Sequence, residues 1–135
     1  MPKSLILDAS AWLSLLLNEP ESDSFQSLFD SHTLIAPELI RYEVSNGIVM
    51  AQRRKRMIGK NTSLQDILEI VGQFPIHIAP LESWWPESVK LVQKHDLTFY
   101  DAAYVGLAAH LDLPLLTLDK KILHVLAAEH LESAF

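Results

Sequence analysis

Four carboxylates in this 135-residue chain stand where an acid is costly: Asp8, Glu43, Asp101 and Asp119. Asp8 interrupts the apolar run Leu5-Ile6-Leu7, and Asp119 follows Leu115-Leu116-Thr117-Leu118. Asp101 opens a stretch, to Leu111, whose only later polar tips are Tyr104 and His110. Glu43 falls among Leu39, Ile40, Val44, Gly47, Met50 and Ala51. An ionised acid on an apolar face is unfavourable unless it is paired or binds a metal. Were the four to meet, each pair about 5 Å apart would repel by about 3 kcal/mol at an effective dielectric of about 20. Protonation or a divalent cation relieves that repulsion. An all-oxygen pocket suits Mg2+ or Mn2+, not Zn2+. The chain has no cysteine, and its six histidines show neither His-x-His nor His-Glu-x-x-His spacing.

Each acid also has a simpler explanation. Asp8 and Asp119 each precede a helical pattern and suit an N-cap. Thr98 and Asp101 have the spacing of a capping box. Glu43 suits a protonated core acid or a buried ion pair. A purely structural reading therefore needs four separate coincidences, whereas one shared site explains all four. Ser10, two residues beyond Asp8, is placed to hydrogen-bond that acid or its ligand.

The elements that must carry these residues alternate along the chain. Ser4 to Leu7 reads as a buried central strand and Ala9 to Leu17 as a helix. Asn18-Glu19-Pro20 breaks it, and a second helix is expected over Glu21 to Phe29 with Phe25, Leu28 and Phe29 inward. Thr33 to Ala36 is a short strand. Pro37 then suits the first turn of a long helix to about Arg53. At about 100° per residue, Glu43 lies in the middle of that helix's apolar face, and Glu38, Arg41, Ser45 and Gln52 lie opposite, towards solvent. A helix over Asn61 to Phe74, capped by Thr62 or Ser63, presents Leu64, Ile67, Leu68 and Val71. A strand over Pro75 to Ala79 and a helix from Trp84 to about His95 follow, with Val89 and Val92 inward. Of the adjacent Trp84 and Trp85, one suits a partner contact or partial burial. The helix from Thr98, a strand over Leu115 to Leu118 and a helix over Lys120 to Ala128 complete the order, and His130 to Phe135 suits an edge strand. Strands separated by helices imply a parallel sheet in an α/β sandwich. Asp8 and Asp119 then lie at carboxyl ends of strands, where ligand sites of open sheets collect.

Composition sets the bounds. A chain of this length suits one domain, 1–135, with a real core. No uncharged apolar run approaches the ~18 residues of a membrane span, and the N-terminus does not suit a signal peptide. A soluble, cytoplasmic protein with no membrane partner is expected. The formal charge is −6, from 17 acids and 11 bases. Five of those bases, Arg53, Arg54, Lys55, Arg56 and Lys60, fall within eight residues. Such a run is ordinarily a solvated surface and favourable near a helix C-terminus. It also suits guidance of a polyanion towards the acids.

Leu5-Ile6-Leu7 running into Asp8-Ala9-Ser10, then Tyr42-Glu43-Val44-Ser45-Asn46, Tyr100-Asp101-Ala102-Ala103-Tyr104 and Thr117-Leu118-Asp119 together resemble the PIN-domain nucleases. The resemblance covers the whole chain, and its size resembles the VapC toxins of toxin–antitoxin pairs. It implies a three-layer α/β/α sandwich around a central parallel sheet of 4–5 strands. It implies an endoribonuclease that depends on Mg2+ or Mn2+, acts on RNA, is restrained by a VapB-type antitoxin and forms a homodimer. Asp8 and Asp101 would be the main metal ligands, and Glu43 and Asp119 would complete the site. Ser10, Asn46 and Thr117 match polar positions around the acids, and Arg53, Arg54, Lys55 and Arg56 would contact RNA.

Two other readings compete. One is a PIN-like module that binds RNA or a partner without cutting. The other is a phosphatase-like α/β enzyme, whose nucleophilic Asp would be followed by Asp at the position that Ser10 occupies.

Overall fold

A computed structural model describes residues 3–54 and 63–135. Four parallel strands, β1 (Lys3–Leu7), β2 (His32–Pro37), β3 (His77–Ala79) and β4 (Leu115–Leu116), form one sheet in the order β3-β2-β1-β4. Ile6 is in register with Ile35 of β2 on one side and Leu115 of β4 on the other. Parallel strands cannot be joined by tight hairpins, so every crossover carries helices. These are α1 (Ala9–Leu16), α2 (Gln26–Ser31), α3 (Leu39–Arg53), α4 (Leu64–Gln73), α5 (Trp85–Lys94), α6 (Phe99–Leu111) and, after β4, α7 (Lys120–Ala128).

The chain lays down β1, β2 and β3 in one direction, then returns to place β4 on the far side of β1. Right-handed crossovers put helices on opposite faces when that direction reverses. Accordingly α1 packs on α3 and α3 on α4, while α6 packs on α5 and α7 and lies across β1, β2 and β4. The result is the expected three-layer α/β/α sandwich. β1 is covered on both faces: Leu5, Ile6 and Leu7 are fully buried. A central parallel strand reads as such an unbroken apolar run. Beyond β4, Ser133 makes an isolated parallel bridge to Leu115. The tail thus extends the sheet by one bridge, short of a full fifth strand.

Several local expectations are corrected. The helix expected over Glu21 to Phe29 divides into a 3-10 turn, Pro20–Ser24, and α2. Ser22 and Ser24 donate to the carbonyls of Glu19 and Glu21, a backbone competition that suits turns better than helix interiors. Pro37 ends β2 in register with Ala79 and is not in the first turn of α3. Its missing N–H is tolerated at a strand end. Arg41 does not face solvent: its guanidinium donates to the carbonyls of Val71 and Phe74 (3.2 Å to Phe74) and caps the end of α4. Val89 is exposed, and Ser88 and Leu91 are the buried residues of α5.

Ser88 shows how α5 and α6 come so close. Its buried hydroxyl hydrogen is shared between the carbonyl oxygens of Trp84 and Ala102. A Cβ on Gly106 would collide with the Ser88 hydroxyl and stand 3.0 Å from the Ser88 nitrogen and the Trp84 oxygen. The glycine allows α6 to seat Asp101 at the sheet's carboxyl edge.

Candidate functional site

The strand order reverses between β1 and β4. Loops leaving two such strands diverge and open a crevice at their carboxyl ends. Asp8 follows β1 there, and Thr117 and Asp119 follow β4.

Asp8 caps α1, accepting from the Ala11 nitrogen at 3.0 Å through Oδ1. The same oxygen accepts from the Ser10 hydroxyl at 2.7 Å, and Oδ2 accepts from the Thr117 hydroxyl. The Ser10 oxygen accepts in turn from the Leu118 nitrogen at 3.0 Å, and the Thr117 oxygen from the Asp119 nitrogen at 3.0 Å. One polar network therefore ties the ends of β1 and β4 together around a carboxylate that is only 2% exposed. Burial, opposed by hydrogen bonds from Thr117, Ser10 and Ala11 and aided by the charge of Asp119, pushes the Asp8 carboxyl up to about 6.

Asp119 caps α7, with Oδ1 accepting from the Ile122 nitrogen at 3.1 Å. Asp101 lies in the first turn of α6, and its nitrogen donates to the Thr98 hydroxyl oxygen at 3.1 Å. The capping role is thus real for Asp8 and Asp119, whereas at α6 the cap is Thr98 and the Asp101 carboxylate takes no part in it. Capping does not remove the electrostatic problem. Asp101 is pushed above the usual carboxylate range, first by burial and next by the charge of Asp119, against lowering by Thr98 and by Lys121.

Glu43 is half-buried on α3, at the edge and not the centre of the stripe formed by Ile40, Val44, Ile48 and Ala51. Its Oε1 accepts from the Tyr104 hydroxyl at 2.6 Å. Burial raises its carboxyl, the Tyr104 hydrogen bond lowers it, and the charge of Asp101 raises it again. Tyr104, nearly fully buried on α6, is held far above the usual phenol value by burial and then by Glu43, with Asp8 and Asp101 adding to the effect. Its phenol therefore stands in the field of three of the four acids. Sequence reasoning did not place Tyr104 in the site. The available signal was a polar tip three residues after Asp101 on a largely apolar helix, a spacing that puts both on one face.

The four acids share one field, Asp8 with Asp119, Asp119 with Asp101 and Asp101 with Glu43. Among the described residues, no three Asp, Glu, His or Cys side chains already stand together as a ready metal cage. Mg2+ does not require one: it keeps several waters and binds through one or two carboxylates. The donors here are all oxygen, and Glu43 Oε2 and Asp119 Oδ2 accept no hydrogen bond among the described residues. The site fits a hard divalent cation on both counts.

Other expected residues lie further off. Asn46 is exposed one turn beyond Glu43 and makes no side-chain hydrogen bond among the described residues. Arg53 and Arg54 are exposed at the end of α3. Arg53 is ten residues past Glu43, or about 15 Å along the helix axis. Lys55, Arg56 and Lys60 lie outside the described residues. Beside the acids, α3, the end of β3 and the starts of α5 and α6 enclose an apolar groove of about 370 Å3. Leu39, Tyr42, Leu81, Trp85, Phe99 and Tyr100 are among its walls. Trp84 also lines it and is buried, whereas Trp85 is 46% exposed.

Comparison with known proteins agrees with this fold. The family description "PIN domain" matches residues 5–127. The chain belongs to the PIN-domain family. Among its relatives are Ribonuclease VapC3 of Pyrobaculum aerophilum, 31% identical, with 87% of this chain and 91% of that protein covered, and Ribonuclease VapC1 of Mycobacterium tuberculosis, 28% identical, with 87% and 86% covered. A crystal structure of a Pyrobaculum aerophilum protein aligns with a TM-score of 0.63 at 25% identity, covering 92% of this chain and 86% of that one. A toxin–antitoxin complex from Klebsiella pneumoniae aligns with a TM-score of 0.60 at 19% identity, covering 87% and 88%, and shares the fold.

Proposed function

We propose that this chain, acting as one domain over 1–135, is a divalent-metal-dependent endoribonuclease and the toxin of a VapBC-type pair. The observation that carries the reading is the Asp8 carboxylate, deeply buried at the switch point of the sheet and coupled through Asp119 and Asp101 to Glu43. Relatives bearing the name VapC ribonuclease at 28–31% identity support the substrate class and the toxin assignment.

Asp8 and Asp101 are the main ligands for Mg2+ or Mn2+, with Glu43 and Asp119 completing the site, directly or through water. Such an ion activates a water and stabilises charge on phosphate oxygens. Ser10 and Thr117 hold Asp8 in a single orientation. Asn46 stands at the rim, where an RNA backbone would pass. The exposed Arg53 and Arg54, continuing into Lys55 and Arg56, draw the polyanion towards the acidic crevice. In the cytoplasm a VapB-type antitoxin restrains the enzyme. A homodimer would cover the apolar groove, where Tyr42 and Trp85 are otherwise exposed. Light scattering of the parent and of Trp85→Glu tests that assembly.

The deciding experiment is cleavage of an RNA panel that includes tRNAs, with Mg2+ or Mn2+. Asp101→Asn and excess chelator should each abolish cleavage. RNA binding that survives without any cleavage, in a protein whose melting temperature no divalent ion shifts, would favour the non-catalytic module instead.

A further inference from the structure

The Tyr104 hydroxyl, on the buried side of α6, donates to Glu43 of α3. The ring is 2% exposed. The bond to Oε1 is 2.6 Å, spans 61 positions of sequence and joins helices from two layers of the sandwich. A phenol donates one hydrogen, so it satisfies one carboxylate oxygen and leaves the other available. Among the described residues Glu43 Oε2 has no hydrogen-bond partner. Glutamate has three rotatable side-chain bonds, and a half-buried one on a helix surface can turn away from its neighbours. The same hydrogen bond opposes that turn, because leaving it would strand a buried hydroxyl.

We infer that Tyr104 is a positioning residue of the metal centre, holding Glu43 by Oε1 so that Oε2 faces the cation. It acts through Glu43 and touches neither RNA nor metal. The inference rests on the metal-site reading above and goes beyond it by naming what orients the acid. Groups that orient a ligand typically matter by 10–100-fold in metal affinity.

The test is a double-mutant cycle read by Mn2+ titration, with free ion followed by electron paramagnetic resonance. The parent, Tyr104→Phe, Glu43→Gln and the double variant are compared. Tyr104→Phe should raise the Mn2+ Kd about tenfold. In the Glu43→Gln background the same change should have no further effect, because coupled residues do not add. Equal affinity of Tyr104→Phe and parent would overturn the inference, as would losses that simply multiply in the double variant. Tyr104→Met replaces the phenylalanine variant if that fails to fold, and failure of both to fold would place Tyr104 in the core and not in the site. A parent that binds no Mn2+ would overturn the metal-site reading itself, a result distinct from the others.

Discussion

Thr117 donates its hydroxyl hydrogen to Asp8 across 109 positions of sequence. The contact joins β1 to β4 at the point where the sheet changes direction, and it leaves the Thr117 oxygen to accept from the Asp119 nitrogen. Thr117→Val keeps the shape and removes both interactions. A buried acceptor that loses its partner costs about 1–3 kcal/mol. Urea unfolding should show that loss, with an unchanged m-value. Ser10→Ala should cost less, because Asp8 Oδ1 keeps the Ala11 nitrogen.

Asp8 should make the metal-free protein less stable as pH rises. Its folded pKa, about 6, lies above its value of 3.8 when unperturbed. Below about pH 4 both folded and unfolded states hold the proton. Between the two values the unfolded state releases it and the folded state does not, so unfolding is favoured progressively until pH passes about 6. The difference corresponds to about 3 kcal/mol for this group alone. Metal binds the ionised form, so the rise in melting temperature on adding Mn2+ should grow from about pH 5 to about pH 7.5. Thermal melts at several pH values, with chelator and with Mn2+, check both trends.

Gly106→Ala should destabilise by about 1–3 kcal/mol, since the added carbon meets backbone atoms of α5 that cannot step aside. Gly72, exposed near the end of α4 with nothing within 4 Å of an added Cβ, provides the contrast. Alanine there should stabilise by about 0.5–1 kcal/mol. Denaturant midpoints of the two variants should move in opposite directions.

Arg53 and Arg54 should contribute to RNA affinity without touching the chemistry. In an Asp101→Asn background, which prevents cleavage, replacing both by Gln should weaken binding and flatten its dependence on salt. For a single strand the slope of log K against log salt should fall by about 1.4 in magnitude. Binding that stays parent-like at every salt concentration would show that RNA does not follow this end of α3.

The order of strands and helices was legible because its signals are local. A buried central strand must be apolar throughout, as Leu5-Ile6-Leu7 is, and helix starts carry capping residues, as Thr98 and Asp119 do. The odd placement of the four acids was legible for the same reason, since hydropathy around each can be read without knowing the fold. What the tertiary structure decided were contacts between distant positions. Arg41 looked like a solvent-facing base at helical spacing, yet it caps α4 some thirty residues away. Tyr104 read only as a polar tip on an apolar helix, yet its hydroxyl lies in the field of three acids. Glu43 moved from the centre of a stripe to its edge because α3 turns its Ile48 face to the core. Periodicity fixes which residues share a face. It does not fix the rotation of one helix against another, and that rotation sets which polar atoms meet.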